Sequence, residues 1–94
     1  MLVDKEVLIM SDVNDLLEKA IYEIKFLKKG EIFLVRDLFK GYEWKRIPRN
    51  DRLLLGTLFL NHINRAEDGV MAIEKTSSNQ QQYKIINNNI GIED

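Results

Sequence analysis

Residues 40–52 read "KGYEWKRIPRNDR". The stretch carries five basic residues, two aromatic rings and the single proline of the chain. Directly after it, Leu55, Leu58, Phe59, His62 and Ile63 fall on one side of a helix. Proline suits the first turn of a helix and disrupts the interior of one. Pro48 is therefore expected to open a long helix over about residues 48–65. Just upstream, "RDLFKG" (36–41) reads as one or two helical turns ending at Gly41, and "YEWKRI" (42–47) is ambiguous. Working outward from this corner gives the rest of the chain.

Upstream, Val13, Leu16, Leu17, Ala20, Ile21, Ile24 and Leu27 form a helical stripe. Ser11 is a good N-cap, and the two lysines before Gly30 suit a helix C-terminus. The pattern predicts a helix over about residues 12–29. "EIFLV" (31–35) is branched and aromatic and predicts a brief strand. Downstream, residues 67–69 read as a turn. "VMAIEK" (70–75) alternates as a half-buried strand does, "TSSNQ" (76–80) is a loop, and "QQYKII" (81–86) is a second strand, giving a hairpin with its turn near residues 77–80. The tail "NNNIGIED" (87–94) reads as frayed. There is no repeat and no linker, so residues 1–94 make one domain with 1–10 and 87–94 as flanks. The order of helix, short strand, short helix, long helix and hairpin predicts an α+β fold, a winged helix-turn-helix of three helices plus a β-hairpin wing. Leu17, Ile21, Ile24, Leu38, Leu55, Phe59 and Ile63 are expected to be buried together.

Ninety-four residues with 45% hydrophobic content suit one small core. The absence of cysteine removes disulfides, thiolate chemistry and cysteine-based zinc sites. The N-terminal stretch has acids where a secretory signal needs basic residues, and no segment approaches the roughly 20 apolar residues of a membrane span. A cytoplasmic location is the expectation.

The net charge of −1 conceals an uneven distribution. Residues 1–34 carry five Lys against seven Asp/Glu, residues 35–65 seven Lys/Arg against three, and residues 66–94 two Lys against five. Five of the seven central cations are Arg, whose planar fork suits phosphate. Lys40, Lys45, Arg46, Arg49 and Arg52 are thus candidate phosphate contacts, and the alternative is a solvated surface paired locally with Glu43 and Asp51. Tyr42 could stack on an unpaired base or pack. Trp44 and Tyr83 could each be core or contact. The hairpin segment "KTSSNQQQYK" (75–84) has no acid and offers Lys75, Ser77, Ser78, Asn79, Gln80, Gln81, Tyr83 and Lys84 as further contacts. On the long helix, Thr57, Asn61 and Asn64 lie opposite the apolar arc, flanked by Leu53, Leu54 and Leu60. That is a poor set for reading bases, and the leucines suit packing on the wing or on a partner chain. His62, the one histidine, has no companions for a metal site and is expected to be packed and hydrogen-bonded. No cofactor site, no metal site and no catalytic constellation stands out, so a non-enzymatic chain is expected.

"LVRDLFKGYEWKRIPRNDRLLLGTLF" followed by "KTSSNQQQYK" resembles a family of small proteins of Gram-positive bacteria and their mobile elements. One branch is the single-stranded-DNA-binding protein of replication modules in staphylococcal chromosome cassettes. The resemblance covers about residues 31–86 and rests on Gly41, Tyr42, Trp44, Pro48, Arg49, Arg52, Gly56, Lys75, Thr76, Ser77, Ser78, Gln80, Gln81 and Tyr83. Asn79 stands where the family has a glycine, and asparagine also tolerates a left-handed backbone. The resemblance implies a winged helix that binds single-stranded DNA beside a primase or polymerase and a helicase. Two other functions stay open on the residues: a dimeric double-stranded-DNA regulator, and a protein–protein adaptor docking through the leucines, Tyr22 and Phe26.

Overall fold

The computed structural model describes residues 12–66 and 68–87. Within them lie three α-helices and a three-stranded antiparallel sheet. Helix α1 spans Val13–Glu23. Its N-cap is Asp12, whose carboxylate accepts from the Asn14 amide at 3.2 Å, and not the expected Ser11, which lies outside the described residues. The helix also stops six residues short of the expected Lys29. Ile24–Phe26 tightens into a 3₁₀ turn and Leu27 is extended. The cause is tertiary. Gly30, at φ +91°, donates its N–H to the Ile85 carbonyl at 2.7 Å, and Ile85 returns a bond to Glu31 at 2.9 Å. The chain must leave the helix early to reach the sheet.

Strand β1 is only Ile32–Phe33. The next turn of chain is 3₁₀, Val35–Leu38, capped by Asp37 accepting from the Leu34 amide at 2.9 Å. The ambiguous "YEWKR" proves helical: α2 spans Gly41–Arg46, with the Glu43 carboxylate accepting from the Lys40 amide at 2.9 Å. Ile47, preceding proline, is pushed to extended geometry (ψ 125°) and ends it. Helix α3 then runs Arg49–Arg65 with Pro48 as N-cap. Arg52 clamps this corner by donating from Nε to the Ile47 carbonyl at 2.9 Å.

Strands β2 (Val70–Ile73) and β3 (Gln82–Ile85) form the expected hairpin. In its loop the Thr76 hydroxyl accepts from the amides of Ser78 (3.2 Å) and Gln80 (3.1 Å), and Asn79 takes φ +69°. The sheet order is β1-β3-β2. Its register puts Phe33, Tyr83 and Ala72 in one cross-strand row and Ile32, Lys84 and Met71 in the next. Successive residues of a strand point to opposite faces. The first row therefore faces the helices and the second faces away.

The core joins both layers. Leu55, Phe59 and Tyr83 are its largest fully buried side chains, and Ala20, Ile24, Phe33, Leu38, Phe39, Ile63 and Ile85 pack with them. Of the expected core, Leu17 and Ile21 are only half-buried and lie at its margin. Leu55→Ala and Phe59→Ala should each lower the unfolding free energy by about 2–5 kcal/mol. Urea melts measure this, and losses under about 0.5 kcal/mol would place the α3 stripe at the surface.

Candidate nucleic-acid interface

Helical geometry divides the basic stretch. Tyr42 and Trp44 are two residues apart on α2, about 200° around its axis, so they serve opposite sides. Trp44 turns inward, half-buried, its ring centroid 5.7 Å from that of Phe39. The Arg52 guanidinium lies over its ring at 5.6 Å. Tyr42 turns out and is 53% exposed. Arg46 and Lys40 approach its ring at 5.0 and 5.8 Å. One strand of nucleic acid cannot use both rings as a single platform. Lys45 and Arg49 are exposed beside them. Among the described residues, the ion pairs within 4 Å are Lys19–Glu23 and His62–Asp68, so Lys40, Lys45, Arg46, Arg49 and Arg52 pair with neither Glu43 nor Asp51.

A groove of about 330 Å³ runs between α3 and the hairpin loop. Arg52, Leu53, Gly56, Thr57 and Leu60 form its helix wall. Lys75, Asn79, Gln80 and Gln81 form the opposite wall. Trp44 and Tyr83 line it between them, and Leu34, Val35 and Arg36 complete it. Three cations and no carboxylate border this space. Arg36 comes from the 3₁₀ turn after β1, within the basic middle of the sequence but outside its candidate phosphate contacts. Only the fold shows that it joins Arg52 and Lys75.

The remaining candidates lie elsewhere. Ser77 and Ser78 are at the exposed tip of the hairpin. Lys40 borders a second depression in which Asp37, Glu43 and Glu23 accompany Lys19, a mixed-charge setting. One expectation needs correction. Tyr83 is 1% exposed, its ring stacked on Phe33 (centroids 5.6 Å apart) and met edge-on by Phe59 (5.0 Å). Its ring has no face left for a base. Lys84, its neighbour, stands on the outer face of the sheet between Ile32 and Met71, on the side opposite Tyr83.

Helix α3 presents few base-reading groups. The Thr57 hydroxyl donates to the Leu53 carbonyl at 3.3 Å, Asn61 and Asn64 are exposed, and Leu53 and Leu54 stand 59% and 48% exposed beside them. Leu60 packs against the core. The His62 Nε2 lies 2.6 Å from the Asp68 carboxylate. Among the described residues no group of three or more His, Cys, Asp or Glu is placed to hold a metal ion, and no helix is long and apolar enough to cross a membrane.

The family model described as "Domain of unknown function (DUF1413)" matches residues 18–84. The chain belongs to this family. The match runs from within α1 through β3, so it takes in both walls of the groove. No curated protein and no solved structure matches the chain.

Burial also has a signature for Tyr83. It pushes the phenol up from 10.0 to about 12. Below pH 10 the phenol is neutral in both folded and unfolded chains and adds no pH dependence. Between pH 10 and 12 the unfolded chain ionises first, so stability is lost as pH rises. The loss is roughly 2–3 kcal/mol at 1.36 kcal/mol per pH unit. Chemical melts from pH 9 to 12 should show wild-type stability falling by about that much more than Tyr83→Phe. Parallel curves would place the phenol hydroxyl in water.

Proposed function

We propose that the chain is a winged helix that binds single-stranded DNA without catalysing a reaction. The observation that carries this is the groove between α3 and the hairpin. Sequence-tolerant binding of a single strand needs a positive track and flat or adaptable groups beside it. Arg36, Arg52 and Lys75 supply the track, Trp44 a ring, and Asn79 and Gln80 the adaptable amides. The strand order β1-β3-β2 and the α2–α3 corner support the winged-helix reading. Arg46, Arg49 and the exposed Tyr42 extend the positive surface past the corner.

A duplex regulator would need Arg, Asn, Gln or Lys donors along the helix entering the major groove. That surface offers Asn61 and Asn64 but no Lys or Arg between Arg52 and Arg65, and exposed Leu53 and Leu54 flank it. The adaptor reading draws on a different feature. Tyr22 and Phe26 are exposed on α1 and the turn after it, their rings edge-to-face at 5.3 Å. The setting beside a primase or polymerase and a helicase of a mobile element rests on the resemblance alone.

Titrations with single- and double-stranded oligonucleotides of equal length, at two salt concentrations, test the proposal. Single strands should bind more tightly, and the log–log salt slope should be about −0.7 per phosphate neutralised. Arg49→Ala, Arg52→Ala and Lys75→Ala should each flatten it by about one phosphate's worth. Tyr42→Ala should cost about 1–3 kcal/mol of binding, and Asn61→Ala very little. Tighter duplex binding with a strong Asn61 effect would favour the regulator. Binding to neither form would favour the adaptor.

A further inference from the structure

Two glycines of this fold invite opposite explanations. Gly69 has φ +77°, and a Cβ there would sit 2.1 Å from the Asn87 carbonyl oxygen. The backbone demands glycine. Gly56 lies mid-way along α3 with ordinary helical geometry, and a Cβ there would meet nothing within 4 Å. A glycine inside a helix costs roughly 1 kcal/mol relative to alanine. Neither a left-handed backbone nor the close approach of another segment accounts for that cost at Gly56. What Gly56 does is leave bare helix backbone in the wall of the α3–hairpin groove.

From this we infer that the groove over Gly56 seats one unpaired nucleobase, a deepening that rests on the single-strand reading above. About 330 Å³ is at the small end of ligand pockets, which suits a flat ring system and not a folded segment. Leu53, Leu60 and Trp44 give the ring apolar contact. Asn79 and Gln80 carry amides that both donate and accept, so they can meet the edge of any base, while Gln81, whose amide NH2 is donated to the Ile73 and Gln82 carbonyls, leaves its side-chain oxygen to accept. The cations Arg36, Arg52 and Lys75 complement the phosphates on either side of that base, and no carboxylate among the lining residues opposes them. Bare backbone at Gly56 lets the ring approach the helix more closely than a side chain would permit.

Trp44 is the only tryptophan of the chain and lines this groove, so its fluorescence reports on the occupant directly. A ten-nucleotide oligothymidine should quench it in the wild type. Gly56→Ala should raise the melting temperature and weaken binding several-fold. Gly56→Leu should weaken binding tenfold or more and abolish the quench, with circular dichroism unchanged. Arg49→Ala, outside the groove, should weaken binding and keep the quench. If the wild type binds oligothymidine and both Gly56 variants match it in affinity and quench, the nucleobase seat is wrong and the single-strand reading stands. If the wild type does not bind oligothymidine, both fall. A Gly56-sensitive quench by polyglutamate and not by oligothymidine would assign the groove to an acidic peptide and overturn the inference.

Discussion

Three aromatic rings hold this molecule together. Phe33 comes from β1, Phe59 from α3 and Tyr83 from β3. Phe33 and Tyr83 stack, and Phe59 meets each of them edge-on, at 6.3 and 5.0 Å between centroids. Such pairs contribute about 0.5–1.5 kcal/mol each beyond the area they bury. Their larger importance is positional. The cluster fixes α3 against the sheet, and with it the separation of the two groove walls. Leu60 follows Phe59 directly on one wall, and Gln81 lies two residues before Tyr83 on the other. Loosening the rings would widen or close the space between them.

The charge of the groove is likewise a product of folding. Arg36, Arg52 and Lys75 come from a turn, a helix and a hairpin loop. In the sequence they are separated by 16 and 23 positions, and the net charge of −1 gives no hint that they meet. Arg52 serves both structure and site: it clamps the α2–α3 corner through the Ile47 carbonyl, lies over Trp44, and keeps a cation in the groove. A guanidinium tied to a carbonyl and a ring is partly ordered before any ligand arrives. That reduces the side-chain entropy lost on binding.

The long helix and hairpin were legible because their patterns are regular and their ends chemically marked. Leu55, Phe59 and Ile63 repeat at helical spacing after a proline, and two branched strands flank a loop of Thr, Ser and Asn. The apolar stripe of the first helix continues to Leu27 and predicts a longer helix, whereas the pairing of Gly30 with Ile85 decides where it stops. Local preference could not reveal a long-range bond. The candidate site was legible in composition and not in arrangement. "KGYEWKRIPRNDR" and "KTSSNQQQYK" contain about half of the groove, but a strand alternates faces at every residue. Whether Tyr83 or Lys84 points inward depends on register, which the sequence segment alone leaves open. Arg36 and Gly56 could be placed only once β1 and α3 had their neighbours.

The strand order carries a consequence for how the chain is made. The central strand of the sheet, β3, is the last element of the described fold. Neither β1 nor β2 has a partner until residues 82–85 arrive. On a ribosome, synthesis runs at about 5–20 residues per second, so β1 waits several seconds while Phe33 remains uncovered. Helices α1 and α3 are both complete before β3 and can pack on each other first. The sheet closes in one late step, when Tyr83 slides between two strands already synthesised. A truncated or stalled chain lacking those final strand residues would lose Tyr83 and Ile85 from its core and expose two unpaired strand edges, a natural target for quality-control proteases.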